Sequence, residues 1–174
     1  MAKLRTLISE EELKNRIKEL GKKISKDYQG RTVCVVCVLK GGVMFMTDLA
    51  KEIEVPLTMD FMAVSSYGDN TTSTGIVKIV KDLDQSIEGK DVILVEDIID
   101  SGRTLSYLVK ILMERKPNSL KICTLLDKPE RRVVNVEVDY VGFCIPDEFA
   151  VGYGLDYQQL YRNLPYIAVI EGVE

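Results

Sequence analysis

The sequence predicts an α/β fold with a mainly parallel central sheet flanked by helices. Residues 92–95 are a run of aliphatic side chains, which is typical of a strand buried on both faces of a parallel sheet. Val33–Leu39 is a second apolar run. After a short polar loop, each run is followed by apolar residues at helical spacing: Leu105, Leu108, Val109 and Leu112 in one unit, and Val43, Met46, Leu49 and Ala50 in the other. A length of 174 residues fits a single domain, residues 1–174.

The other elements are predicted in chain order. Residues 9–12 fit a capping box, and the helix that they open has the apolar positions Leu13, Ile17, Leu20 and Ile24 before the Gly30 breaker. Strands are predicted over residues 57–64, 76–80, 120–126 and 166–170. Residues 65–75 are small and polar, so they favour a loop between two of these strands.

Composition excludes several classes of protein. With 23 basic and 27 acidic residues the net charge is −4, so no overall basic field favours nucleic acid. No apolar run approaches the roughly 18 residues of a membrane span, and the first residues lack the apolar core of a signal peptide, so a cytoplasmic protein is expected. The chain has no histidine, which removes the usual general base and the serine-hydrolase triads. Cys34 and Cys37 lie on opposite faces of a predicted strand, so we interpret them as core residues and not as a redox or zinc motif.

A polar segment follows the buried strand predicted at residues 92–95. Residues 96–104 read Glu-Asp-Ile-Ile-Asp-Ser-Gly-Arg-Thr and lead into the predicted helix. Glycine, hydroxyl and arginine groups at residues 101–104 can wrap a phosphate monoester at the helix N-terminus. Glu96 and Asp97 would repel that phosphate, but they can accept hydrogen bonds from vicinal ribose hydroxyls or anchor Mg²⁺ through water. Asp100 is placed for proton transfer. The segment therefore predicts a sugar-phosphate site.

The loop Lys40-Gly41-Gly42 follows the other buried strand. One cation and two glycines before a helix suit either an ordinary turn or an anion site. The residues alone leave both interpretations open.

The segment at residues 96–104 resembles the motif that type I phosphoribosyltransferases use to bind 5-phosphoribosyl pyrophosphate (PRPP), in the form found in hypoxanthine-guanine phosphoribosyltransferases. The resemblance extends from Leu39 to Arg162 with motifs in the family order. It implies the type I phosphoribosyltransferase fold, with a small hood and a flexible loop. It also implies Mg²⁺-dependent purine salvage, in which PRPP and hypoxanthine or guanine give IMP or GMP and pyrophosphate.

The resemblance assigns roles along the chain. Ser101, Gly102, Arg103 and Thr104 would bind the 5′-phosphate, Glu96 and Asp97 the ribose, and Lys40, Gly41 and Arg162 the pyrophosphate. In this family the Leu39–Lys40 peptide is commonly cis. Ser66 and Tyr67 would belong to a flexible loop that closes over the reacting centre and excludes water.

The base site is implied by four residues. Lys128 matches a lysine that donates to the purine 6-oxygen, which an ammonium can do for a 6-oxo but not a 6-amino group. Phe149 would stack on the base, and Ala150 would offer backbone groups to its edge. Asp156 would lie by the base and, with Glu96 and Asp97, serve the metal. Taken without the family, Lys128 and Arg162 suggest surface charges and Phe149 a core residue.

The residues and the resemblance leave some alternatives open. A transferase of the same fold could act on xanthine, adenine or a pyrimidine, although Lys128 and Phe149 argue against adenine. A PRPP-sensing regulator that binds RNA would need a basic, aromatic face, of which the acidic composition gives no sign. We expect no nucleic-acid or membrane partner, and a homodimer or homotetramer, as is common in the family.

Overall fold

The structure, a computed structural model, describes residues 2–66 and 77–173. Its centre is a six-stranded sheet in the order β4-β3-β2-β5-β6-β7. The strands are β2 (Val33–Leu39), β3 (Leu57–Ser66), β4 (Val77–Lys81), β5 (Asp91–Ile99), β6 (Ser119–Asp127) and β7 (Tyr140–Cys144). Every neighbouring pair is parallel except β3 and β4. The predicted mainly parallel sheet is confirmed.

Helices cover both faces of this sheet. Helix α1 (Glu10–Asp27) and helix α2 (Val43–Lys51) pack on one face, and helix α3 (Arg103–Glu114) packs on the other. The side chains of β2 alternate between the two cores, so Cys34 lies in the α3 core and Cys37 in the α1 and α2 core. Both cysteines are buried free thiols, as predicted.

The first helix follows its sequence signals closely. The Ser9 side chain accepts from the Glu12 backbone N–H, and the Glu12 carboxylate accepts from the Ser9 N–H, which completes the predicted capping box. The apolar positions Leu13, Ile17, Leu20 and Ile24 are all buried. In α2 the buried face is Phe45, Met46 and Leu49, whereas Val43 and Ala50 are only partly buried. The predicted face of α2 was therefore rotated by part of a turn.

A second, three-stranded sheet forms what we call the hood. It consists of β1 (Leu4–Ile8), β9 (Ile167–Ile170) and β8 (Ala150–Val151), paired antiparallel in the order β1-β9-β8. Strand β1 was not predicted. Its partner, β9, lies at the far end of the chain, so no nearby sequence signal predicts the pairing.

Within the two described stretches, no helix combines the length and the apolar character needed to cross a membrane.

Candidate functional site

The candidate site lies at the carboxyl edge of the central sheet. Lys40, Asp100 and Lys128 each follow the last residue of a strand, β2, β5 and β6 respectively. These three strands are neighbours, so the three side chains start from adjacent points on one edge. This edge is where open α/β sheets bind ligands.

The turn before α3 forms the first part of the site. Gly102 caps the helix with a φ of 83°, and a Cβ there would lie 2.8 Å from the Val134 carbonyl oxygen. The Ser101 carbonyl accepts from the Val133 and Val134 N–H groups at 2.9 and 3.1 Å. The Ser101 hydroxyl accepts from the Arg103 N–H at 3.3 Å. The turn thus has a fixed shape that requires glycine at its centre.

A cavity of about 220 Å³ opens beside this turn. Its lining includes Glu96, Asp100, Ser101, Gly102 and Thr104. Hydroxyl groups, a helix N-terminus and two carboxylates therefore share one small space, which suits a phosphorylated polyol.

Arg132 supports the turn from outside the cavity. Its guanidinium contacts the Asp127 carboxylate, and its Nε donates to the Asp100 carbonyl oxygen at 3.3 Å. Its Cδ would also lie 3.0 Å from a Cβ at Gly102. The sequence analysis did not identify Arg132, because it stands in a run of charged residues without a motif.

Glu96 and Asp97 lie on opposite faces of β5, not in the loop after it. Burial raises the pKa of Glu96 well above its usual range, and the neighbouring charge of Asp97 raises it further. Burial also raises the pKa of Asp97 to about 6, although the Ile98 N–H and the charge of Arg162 oppose the rise. Two acids with raised pKa values favour a cation or hydroxyl donors from a ligand.

Asp97 is packed tightly against the loop at residues 40–42. A Cβ at Gly41 would lie 1.9 Å from Asp97 Oδ2, so only glycine fits there without rearrangement. The Leu39–Lys40 peptide bond is cis, as the resemblance implies. The loop is therefore in direct contact with β5 at Asp97.

Cationic groups from distant parts of the chain meet beside this loop. Lys40 Nζ lies 3.4 Å from Gln159 Oε1, and Arg162 Nη2 lies 3.1 Å from the same oxygen. Arg162 also forms an ion pair of 3.3 Å with Asp156, whose other oxygen accepts from the Gln159 N–H. Gln159 was not predicted. Its oxygen occupies a position where both cations can bind a shared acceptor.

Lys128 is buried, which corrects the surface interpretation suggested by its local sequence. Its side chain is 8% exposed, and its Nζ lies 3.6 Å from Asp100 Oδ1 and 3.9 Å from Asp147 Oδ1. Asp147 also pairs with Arg131 at 3.2 Å. Two acids from elsewhere in the chain thus accompany a buried ammonium, as such a group requires.

A larger cavity of about 580 Å³ has Lys128 in its lining. Phe149 lines it and is 38% exposed, and its ring meets Tyr157 edge-on with centroids 5.6 Å apart. Ala150 is buried in β8, an edge strand of the hood among the described residues. A partly exposed aromatic ring beside a buried ammonium suits a flat ligand with a polar edge.

The predicted catalytic residues are only partly described. Ser66 is the last residue of β3, and its backbone pairs with Val77. Tyr67 lies outside the described residues, and so does most of the predicted loop at residues 65–75.

The structure thus brings the predicted residues into adjoining groups along one edge. The turn at residues 101–104 joins Glu96 and Asp100, the loop at Lys40 joins Asp97 and Arg162, and Lys128 joins Phe149. Asp156 lies against Arg162 and Gln159 and not in the larger cavity. Glu96, Asp97 and Asp156 do not form a common cluster, since the described part of the chain has no group of three or more metal-ligating side chains.

Comparison with known proteins gives consistent matches. Residues 8–158 match the family described as "Phosphoribosyl transferase domain". The chain is 56% identical to the hypoxanthine-guanine phosphoribosyltransferase of Bacillus subtilis over 96% of this chain and 93% of that protein. It is 59% identical to a bifunctional TilS/HprT protein of Listeria monocytogenes, but it spans only 26% of that protein's length.

Solved structures of high similarity come from the same group of enzymes. A hypoxanthine phosphoribosyltransferase from Staphylococcus aureus superimposes with a TM-score of 0.94 at 55% identity, covering 96% of this chain and 91% of that one. A hypoxanthine-guanine phosphoribosyltransferase from Bacillus anthracis, with a HEPES molecule in its active site, gives a TM-score of 0.94 at 53% identity, covering 98% and 99%. Given these matches over most of its length, the chain belongs to the phosphoribosyltransferase family, among the hypoxanthine-guanine phosphoribosyltransferases.

Proposed function

We propose that the chain transfers the 5-phosphoribosyl group of PRPP to hypoxanthine or guanine, forming IMP or GMP and pyrophosphate, with Mg²⁺ as cofactor. The observation that carries this proposal is the 3.6 Å contact between Asp100 and Lys128. That contact joins the cavity beside the phosphate turn to the larger cavity that Phe149 lines. A sugar phosphate and a base would therefore meet at Asp100.

The donor occupies the first of these spaces. In the proposal, residues 101–104 bind the 5′-phosphate, and Glu96 and Asp97 accept hydrogen bonds from the ribose hydroxyls. Lys40, Gly41 and Arg162 bind the pyrophosphate, whose oxygens would replace Gln159 Oε1 between the two cations. The lengths of 3.4 and 3.1 Å from Lys40 and Arg162 to that oxygen support this position for an anion.

The residues present fit a magnesium ion. Glu96 and Asp97 offer hard carboxylate oxygens. Burial has raised the pKa of both, so a bound cation would stabilise their ionised forms. Mg²⁺ commonly binds through one or two carboxylates together with substrate phosphates, so either of these two acids could serve it together with the pyrophosphate, without a closed protein cage. Asp156 would serve through water on the pyrophosphate side. When bound, the ion would neutralise charge on the pyrophosphate oxygens.

The base occupies the second space. Lys128 would donate to the purine 6-oxygen, Phe149 would stack on the ring, and Ala150 would present backbone groups to the base edge. Burial of Lys128 supports this role, because a desolvated ammonium rejects a 6-amino group more strongly than an exposed one would.

The transfer breaks the bond from C1′ to the pyrophosphate oxygen and forms the bond from the purine N9 to C1′. The electron pair of the broken bond leaves with pyrophosphate, where Lys40 and Arg162 stabilise the growing negative charge. The N7 proton of the base passes to Asp100 as N9 becomes nucleophilic. Ser66 and Tyr67 would close over the reacting centre. If Tyr67→Phe and deletion of residues 68–74 left both transfer and PRPP hydrolysis unchanged, that closure would be disproved.

The proposal is tested by a spectrophotometric assay with PRPP, Mg²⁺ and each of hypoxanthine, guanine, xanthine and adenine. We expect product with the first two bases. Asp100→Asn should lower turnover by about 10²–10⁴-fold while leaving most PRPP binding intact. Absence of product with every base would refute the proposed reaction, and an undiminished Asp100→Asn enzyme would remove Asp100 from its role.

Three further points belong to the proposal. Residues 1–174 would act as one phosphoribosyltransferase domain, assembled as a homodimer or homotetramer, as related enzymes are. The reaction would take place in the cytoplasm.

A further inference from the structure

A buried tyrosine ties the hood side of the site to helix α2. Tyr153 has a φ of 50° and stands between Gly152 and Gly154, whose φ angles are 97° and 98°. Its side chain is 8% exposed, and its hydroxyl donates to Asp48 Oδ2 on α2. Because α2 begins directly after the loop at residues 40–42, this hydrogen bond connects the turn at residues 152–154 to the helix that follows the loop of Lys40.

That turn contacts both the loop of Lys40 and the segment of Arg162. A Cβ at Gly154 would lie 2.2 Å from the Gly41 carbonyl oxygen, so the turn abuts the loop directly. The Gly154 carbonyl accepts from Arg162 Nη1 at 2.7 Å, and the Gly154 N–H donates to the Arg162 carbonyl at 2.9 Å. Gly154 is therefore the point where the segment of Arg162 meets the loop of Lys40.

We propose that Tyr153 is a positioning residue, which sets the separation between Lys40 and Arg162 through its hydrogen bond to Asp48. The inference rests on the proposed function, because it assigns those two cations to pyrophosphate. Lys40 and Arg162 come from elements far apart in sequence and converge on the same Gln159 oxygen. A shift of the turn relative to α2 separates them, and a misplacement of about 1 Å can cost about 10²-fold in rate.

Tyr153→Phe tests this inference, because it removes only the hydroxyl. Tyr140→Phe is the matched control: its hydroxyl also donates to a carboxylate, Asp27 Oδ2 at 2.7 Å, and Tyr140 is also buried. Tyr140 begins β7 and pairs with Cys123 in the middle of β6, so it lies away from the carboxyl edge that carries the site. We expect Tyr153→Phe to raise the KM for PRPP about tenfold with little change in the KM for hypoxanthine, whereas Tyr140→Phe alters neither. Both variants should lose similar thermal stability.

Substitutions at Asp48 provide the second arm. Asp48→Asn keeps an oxygen that accepts from Tyr153 and should preserve the wild-type KM for PRPP, whereas Asp48→Ala should reproduce the effect of Tyr153→Phe. The double variant Asp48→Ala with Tyr153→Phe should be no worse than either single variant. These variants also decide the matter if Tyr153→Phe folds poorly.

The inference is overturned if Tyr153→Phe leaves the KM for PRPP unchanged, or if it raises the KM for PRPP and hypoxanthine equally. It is also overturned if Asp48→Asn and Asp48→Ala behave alike. Calorimetric titration of PRPP with Mg²⁺ separates the two proposals. A wild-type chain that binds PRPP but transfers it to no base refutes the proposed reaction, and the affinities of the variants still decide the role of Tyr153.

Discussion

The substitution Gly41→Ala would test the close contact between the loop at residues 40–42 and the Asp97 side chain on β5. The new Cβ would lie 1.9 Å from Asp97 Oδ2 and 2.7 Å from Asp97 Cγ. Since Cβ contacts under 3.0 Å essentially never occur, Oδ2 must retreat by at least 1.1 Å. Gly41 does not have a positive φ, so the backbone itself accepts alanine. The whole effect therefore falls on Asp97.

The expected result has a functional and an energetic part. If Asp97 contacts the ribose as proposed, a displacement of about 1 Å should lower kcat/KM for PRPP by about 10²-fold. Overpacking should lower the free energy of unfolding by about 1–3 kcal/mol. Initial rates with varied PRPP and urea denaturation at one pH measure the two parts.

A double-mutant cycle with Asp97→Ala isolates the contact. That substitution removes the clashing atoms and leaves Asp97 Cβ, which is 3.5 Å from the new methyl group, an ordinary distance. We expect the double variant to recover the stability lost in Gly41→Ala, with a coupling energy of about 1 kcal/mol or more, but not the activity. Gly89→Ala is the control: a Cβ there meets nothing within 4 Å, although its φ of 72° disfavours alanine, so stability falls while kcat/KM holds.

Additive stability losses in the cycle would refute this reasoning. So would a Gly41→Ala enzyme with the wild-type kcat/KM for PRPP.

Three further predictions concern charged residues of the site. Burial raises the pKa of Asp97 to about 6, so without metal the folded state holds its proton more tightly than the unfolded state. Stability should therefore fall as pH rises from the ordinary aspartate range through 6, and Asp97→Asn should flatten that slope in urea denaturation with EDTA; an unchanged slope would contradict the shift. Lys128→Met should lower kcat/KM for hypoxanthine by about 10–100-fold because a charged donor is lost, while KM for PRPP holds; an equal loss for both substrates would argue against a base contact. Arg132→Ala frees the Asp100 carbonyl and the Asp127 carboxylate and should raise KM for PRPP about tenfold, with KM for hypoxanthine as the internal control. A selective rise in KM for hypoxanthine would contradict the inference that Arg132 supports the turn at residues 101–104.

Local patterns predicted most of the fold. The capping box at Ser9 and the apolar run at β2 depend on neighbours in sequence, and the structure has both where they were expected. Strand β1 was missed because its register is set by β9, at the other end of the chain. Strand β5 extends through Glu96 and Asp97 despite their low strand propensity, because β6 pairs alongside as far as Ile99.

The site was harder to predict wherever burial depends on distant partners. Lys128 stands beside Pro129 in a charged stretch, which is typical of an exposed turn, and only Asp100 and Asp147 make its burial possible. Gln159 has no motif of its own and gains a place in the site from Lys40, far away in sequence. Local residue types predict a turn that suits phosphate, but they do not predict which distant side chains converge on it.

The distribution of thiols gives the molecule a natural labelling point. Cys34, Cys37 and Cys123 are buried, whereas Cys144 is exposed. Burial raises the pKa of Cys37 to about 12 and raises that of Cys123 as well, so neither readily forms the thiolate that alkylating reagents need. Cys144 ends β7 and pairs with Asp127, the residue before Lys128. We expect a fluorophore attached to Cys144 of the native protein to sit near the cavity that Lys128 and Phe149 line, and to report its occupancy without any engineered cysteine.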